Sequence, residues 1–145
     1  MEAWPGDHFD WVNPLGDDID AHVLIVGEGT LDLMCTLIRR GCPGVSAVRF
    51  SERVPTEPVG VVLVPSVTNM VDAARAVDFA IHALVPDGRI FLRAPHHLVD
   101  QIEHLLGRQG FSMAERMENE GLPVLRALLP LADVGSWPKG VMNHV

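Results

Sequence analysis

His22-Val-Leu-Ile-Val-Gly-Glu-Gly-Thr-Leu-Asp-Leu33 is a hydrophobic run that passes into a turn with two glycines, Gly27 and Gly29, and then into an amphipathic segment. A strand, a glycine turn and a helix in that order form the unit on which doubly wound α/β domains hold the phosphate or sugar of a nucleotide. Val23–Val26 is continuously apolar, as a strand covered on both faces requires. From Thr30 to Arg40 the spacing predicts a helix, with Leu31, Met34, Cys35 and Ile38 as its core stripe and Leu37 widening it. Arg39 and Arg40 fall in the last turn, where cations oppose the helix dipole favourably, and Gly41 ends the helix.

Outward from this unit the pattern alternates. Val45–Phe50 reads as a second strand, and Ser51 to Gly60, with Pro55 and Pro58, as a connector. Val61–Val64 is another buried strand. The spacing predicts a helix from Asn69 to Leu84, with Val71, Ala74, Val77, Ile81 and Leu84 inward and Asp72, Arg75 and Asp78 outward. Pro86-Asp87-Gly88 turns into the strand Arg89–Arg93, and the helix His96–Gln109 follows with Leu98, Ile102, Leu105 and Leu106 as its stripe. A strand from Gly110 to about Arg116, a polar turn over Glu118–Pro123 and a last strand Val124–Leu129 close the pattern. Alternating strands and helices imply right-handed crossovers and a mostly parallel sheet. The last two strands have no helix between them and should form an antiparallel hairpin.

Composition narrows the classes. The chain has 145 residues, 48% of them apolar, enough for one folded domain with a substantial core. Residues 1–20 hold six acids, no Lys or Arg, and the aromatics Trp4, Phe9 and Trp11, so the net charge of −8 is concentrated in this segment. It reads as an acidic arm whose aromatics pack on the body or on a sister subunit. The domain proper is expected over 21–130 and a tail without clear period over 131–145. With no basic cluster beyond Arg39-Arg40, nucleic-acid binding lacks its electrostatic footprint. No apolar run is long enough for a membrane span and the acidic, aromatic start is unlike a signal or transit peptide, so a cytoplasmic location is expected. Cys35 and Cys42 are the only cysteines, which excludes a disulfide framework and a four-cysteine zinc site.

On these residues the chain resembles the class I S-adenosylmethionine-dependent methyltransferase family over roughly residues 21–130. Val23-Leu-Ile-Val-Gly-Glu-Gly-Thr-Leu-Asp32 falls on the family's first motif, an acid-x-Gly-x-Gly-x-Gly turn. Val45-Ser-Ala-Val-Arg-Phe-Ser-Glu52 falls on the second, where a strand ends in an acid. Ala83-Leu-Val-Pro-Asp-Gly-Arg-Ile-Phe-Leu92 is similar to the family's "L-x-P-G-G-x-hydrophobic" start of strand five, and the Gly110-Phe111 opening of the terminal hairpin also fits. The resemblance implies a Rossmann-like, mostly parallel sheet ending in an antiparallel hairpin, lacking the usual third strand region. About ten residues between the second strand and the next cannot hold the helix, strand and helix that the family places there. The second strand is then expected at the sheet edge, where its unpaired backbone groups need protection.

The departures from the family concern chemistry. Ile25 replaces the acid of the first motif, and Leu31 replaces its third glycine, where an isobutyl group is expected to crowd the cofactor. Arg49 stands where the family has an acid that accepts hydrogen bonds from the ribose hydroxyls, and a guanidinium has no acceptor. The resemblance implies Gly27, Glu28, Gly29, Thr30, Arg49, Pro65 and Ser66 as the positions of a cofactor site, vestigial or altered. S-adenosylmethionine is the cofactor it suggests, but the changes at positions 25, 31 and 49 favour none. Backbone N–H groups from Glu28 to Leu31 still offer donors to a ligand, although the Glu28 carboxylate disfavours an anionic one.

Other constellations weigh less. Gly27-x-Gly29 with Arg49 about twenty residues on superficially resembles an NADP-binding turn, but Asp32 takes the small-residue position and the terminal hairpin points elsewhere. Ser66 or Asn69 is expected to cap the helix that follows. His96, Asp100 and His104 lie at i, i+4 and i+8 opposite the apolar stripe and read as solvated side chains rather than metal ligands. Cys35 reads as a small core residue. The expectation is therefore a methyltransferase-like protein with a decayed cofactor site, acting as a non-catalytic structural or regulatory subunit, in a homo-oligomer or with a protein partner. The competing expectation is an active methyltransferase whose pocket another subunit completes.

Overall fold

A computed structural model describes residues 15–51, 57–117 and 123–130. The arm over residues 1–14, most of the connector after Ser51, the polar turn over 118–122 and the tail over 131–145 lie outside the described residues. The elements are a 3-10 helix (Gly16–Asp20), β1 (His22–Val26), α1 (Leu31–Arg39), β2 (Gly44–Val48), β3 (Val59–Val64), α2 (Met70–Ala83), β4 (Leu84–Arg93), α3 (His96–Arg108), β5 (Ser112–Met117) and β6 (Val124–Leu128). Six strands make one sheet in the order β2-β1-β3-β4-β6-β5. The pairs among β2, β1, β3 and β4 are parallel, and β6 runs antiparallel to both β4 and β5. The doubly wound sheet and its terminal hairpin agree with the sequence pattern, and β2 ends the strand order.

Alternation along the strands builds two cores. Leu24, Val26, Val62, Val64, Ile90 and Leu92 face α2 and α3. Val23, Ile25, Val61, Leu63 and Phe91 face the other way, packing with Leu37 of α1 and with Leu15. Ile25 is fully buried in this second core. The Cys42 thiol, buried at the end of the same cluster, donates to the Ala21 carbonyl at 3.2 Å, and burial pushes its pKa up. On the far side of the sheet Arg116 reaches from β5 to Glu103 at 2.8 Å and to Asp100, fastening the hairpin to α3.

The predicted face of α3 is buried as expected, with Leu98, Ile102, Leu105 and Leu106 inward, but the faces of α1 and α2 need correction. On α1 only Leu37 is buried; Leu33 and Met34 are partly covered, while Cys35 and Ile38 are exposed and Leu31 is 69% exposed. At about 100° per residue the apolar positions of this helix occupy more than half its circumference, and one sheet face cannot cover an arc that wide. The sheet takes the Leu33–Leu37 side and leaves Leu31, Cys35 and Ile38 in solvent. On α2 the buried residues are Ala73, Ala76, Val77, Phe79, Ala80 and Ala83, whereas Val71 is 63% exposed and Ala74 is exposed too. Alanines allow the helix to lie close over the sheet, so small size rather than hydrophobic bulk marks its inner face.

Two local readings also change. Gly16–Asp20 forms a 3-10 helix where no period is visible in the sequence, and Asp18 accepts from the Arg89 guanidinium at 3.1 Å. Pro86-Asp87-Gly88 lies within β4 as an irregularity in the register, between the pairs Val59–Leu84 and Val61–Arg89. Asp87 has φ 75°, and the loop closes on Leu129 through Asp87 N–H to Leu129 O at 2.7 Å and Leu129 N–H to Gly88 O at 2.8 Å.

The corrected inner face of α2 predicts contrasting mutants. Phe79→Ala is expected to lower the stability to urea unfolding by about 3–5 kcal/mol, and Val71→Ala by less than about 0.5 kcal/mol.

Candidate functional site

Strand order reverses between β1, whose chain leads outward to β2, and β3, whose chain leads the other way to β4. In open α/β sheets the crevice at such a point, outside the carboxyl ends of the strands, is where ligands bind. Here it is bounded by the glycine turn after β1, the residues after β2 and the Pro65–Asn69 loop after β3. The turn is pinned to β2, since the Gly27 N–H donates to the Val48 carbonyl at 2.9 Å. Gly27 (φ 148°) and Gly29 (φ 63°) both take backbone conformations that favour glycine.

The sequence-derived site residues fall into two lobes that share Gly27. A concavity of about 500 Å³ is lined by Gly27, Glu28, Pro65 and Ser66 together with Phe50, Ser51, Thr68, Asp72 and Arg75. A shallower one of about 310 Å³ is lined by Gly27, Gly29, Thr30 and Arg49 together with Leu31, Met34, Ala47 and Val48. Glu28 and Arg49 meet between them, with Oε1 and Nε 3.5 Å apart and both side chains about two-thirds exposed. The Arg49 guanidinium is thus engaged by the acid of the glycine turn.

Leu31, expected to crowd a ligand, and Phe50 border different lobes of the crevice. Leu31 lies on the outer rim of the shallower lobe, and a Cβ placed on Gly29 would meet nothing within 4 Å. Phe50 lies beside the turn: a Cβ placed on Gly27 would be in ordinary van der Waals contact, 4.0 Å from the Phe50 ring and 3.8 Å from Pro65 Cδ. The ring is partly buried against the core that faces α2 and α3. The position after Arg49 in the sequence was the available signal for Phe50. Asp72 and Arg75, assigned to an outer helix face, border the larger lobe because the N-terminus of α2 points into the crevice.

The third loop is held from two sides. The Val67 N–H donates to the Arg93 carbonyl at 3.0 Å, tying the loop to the end of β4. The Arg93 side chain is buried, and burial lowers its pKa. Asn69 caps α2, its Oδ1 accepting from the Asp72 N–H at 2.8 Å, so of the two expected caps Asn69 does this and Ser66 lines the crevice. His96 and His104 are exposed, and Asp100 is engaged by Arg116. Among the described residues no three His, Cys, Asp or Glu side chains are placed to hold a metal ion.

No family model matches the sequence, and no curated protein sequence does. Solved structures do match the fold. A ribosomal protein L11 methylase from Lactobacillus delbrueckii subsp. bulgaricus aligns with TM-score 0.63 and 13% identity, over 76% of this chain and 70% of its own. An S-adenosylmethionine-dependent O-methyltransferase from Thermotoga maritima aligns with TM-score 0.64 and 13% identity, over 92% of this chain and 68% of its own. Human N-acetylserotonin methyltransferase in complex with S-adenosylmethionine aligns with TM-score 0.57 and 12% identity, over 82% of this chain and 50% of its own. The fold is that of the S-adenosylmethionine-dependent methyltransferases. No helix among the described residues is long and apolar enough to cross a membrane.

The cap assignment predicts that Asn69→Ala costs about 1 kcal/mol in thermal or urea unfolding. Ser66→Ala is expected to change stability by less than about 0.5 kcal/mol.

Proposed function

We propose that this protein keeps the methyltransferase fold without an ordinary S-adenosylmethionine site, and that it serves as a non-catalytic structural or regulatory subunit. The observation that carries this is the arrangement at the end of β2. Arg49 offers the ribose hydroxyls no acceptor and pairs with Glu28 across the glycine turn. The next residue, Phe50, sets its ring beside Gly27, where the family's backbone approaches its cofactor. Ile25 brings a core side chain in place of the first-motif acid. These residues do not fit S-adenosylmethionine in the family's manner, and no methyl-transfer step is derived for them.

One observation favours a second reading. The larger lobe, about 500 Å³ with Ser66, Thr68, Asp72 and Arg75 on its wall, is roomy enough for a small ligand. An active methyltransferase that binds its cofactor there in an altered pose, completed by another subunit, would use this space.

Calorimetry separates the two. The purified chain is expected to bind neither S-adenosylmethionine nor S-adenosylhomocysteine more tightly than about 1 mM, which corresponds to roughly −4 kcal/mol. The variant Leu31→Gly with Arg49→Asp, which returns two family residues, is expected to bind more tightly than the native chain. Micromolar binding by the native chain would overturn the non-catalytic reading in favour of the altered-pose enzyme.

A further inference from the structure

Two open features of the described residues lie side by side. β2 ends the sheet, and its residues Gly44–Val48 include no charged side chain and no proline, the usual guards of an exposed edge. Above this edge α1 presents Leu31 (69% exposed), Cys35 and Ile38 (56% exposed) as one apolar stripe at i, i+4 and i+7. The stripe is on the β2 side of the helix, because Leu31 and Met34 share the shallower lobe with Ala47 and Val48 of β2.

We infer that this face docks a second copy of the chain about a two-fold axis normal to the sheet. Such an axis sets β2 antiparallel to the other copy's β2, and the two edges can then continue one sheet through backbone hydrogen bonds. The same axis brings the two α1 helices together on one side of that sheet, antiparallel, with their apolar stripes facing. An α1 seated between β1 and β2 lies about one strand spacing, roughly 5 Å, from the axis, which sets the two helices about 10 Å apart, an ordinary packing distance.

Charge selects this partner over others. Asp32 and Arg39 are both exposed and lie seven residues apart on one flank of the stripe. An antiparallel apposition carries Asp32 of each copy to Arg39 of the other, so the surface is complementary to itself at two symmetric points. Cys35, midway along Leu31–Arg39, then lies nearest the axis. The open edge, the apolar stripe and the charge pattern call for the same two-fold. The inference goes beyond the functional reading above and does not rest on it, since the dimer requires no ligand.

Sedimentation equilibrium of the full chain without added ligand tests it. The native protein is expected to be a dimer. Asp32→Arg and Arg39→Asp, each confirmed as folded by circular dichroism, are each expected to weaken it by about tenfold or more, because two attractions become two repulsions. An equimolar mixture of the two variants is expected to restore dimerisation, since both contacts are then oppositely charged. A short bismaleimide is expected to link native copies through Cys35, while the buried Cys42 does not react. A native protein that stays monomeric at every concentration overturns the inference and gives the stripe to a different protein or to residues 1–14. A dimer unaffected by either charge reversal, or a mixture that fails to recover, also overturns it. Failure here leaves the calorimetric test of cofactor binding untouched.

Discussion

The short passage from Val48 to Val59 governs the rest of this structure. A chain that leaves β2 and must return almost at once to start β3 beside β1 has no room for an intervening helix and strand. Among the described residues β2 is therefore the edge strand on that side. At the carboxyl end of the strands this short path places Phe50 on the crevice beside Gly27 and Arg49 facing Glu28. At the opposite end it leaves a space of about 530 Å³ bordered by His22, Ser46 and Glu57, where Ser46 is exposed. The crevice, the edge and the exposed face of α1 thus all lie around this one short passage.

Interaction strengths show which of these features are structural. The Glu28–Arg49 pair is solvent-exposed and contributes at most about 1 kcal/mol, so it does little for stability and more for the charge presented at the turn. Ile25 is different in kind. It is fully buried beside Leu37, Leu63 and Phe91, and a carboxylate there would need a partner that this core does not offer among the described residues. An apolar residue at position 25 is therefore tied to the packing of α1 against the sheet. Reversing it means repacking the core, whereas reversing Arg49 alters only the surface.

Much of the fold was legible because parallel strands buried on both faces leave continuous apolar runs, as at Val23–Val26 and Val61–Val64. The terminal hairpin followed from the missing helix between β5 and β6. The rotation of the helices was not legible. Six apolar side chains around α1 do not say which three the sheet covers, and the alanines that mark the inner face of α2 carry too little hydrophobic contrast to stand out. At the site, the two glycines located the turn, and Gly27 and Gly29 both take conformations that favour glycine. Phe50 was missed because its effect depends on where a shortened connection carries a ring, and this is set by chain length across space rather than by residue type. Asp72 and Arg75 were placed on an outer face because the sequence does not show that the start of α2 opens onto the crevice.

The central claim is that the switch-point crevice beside Gly27 no longer receives S-adenosylmethionine. It is tested most directly by following the backbone amides of Gly27 to Leu31 by nuclear magnetic resonance while S-adenosylhomocysteine is added. The arrangement of Arg49 and Phe50 predicts that these resonances stay in place up to about millimolar ligand. Saturable shifts confined to Gly27–Leu31 and Phe50 would contradict it.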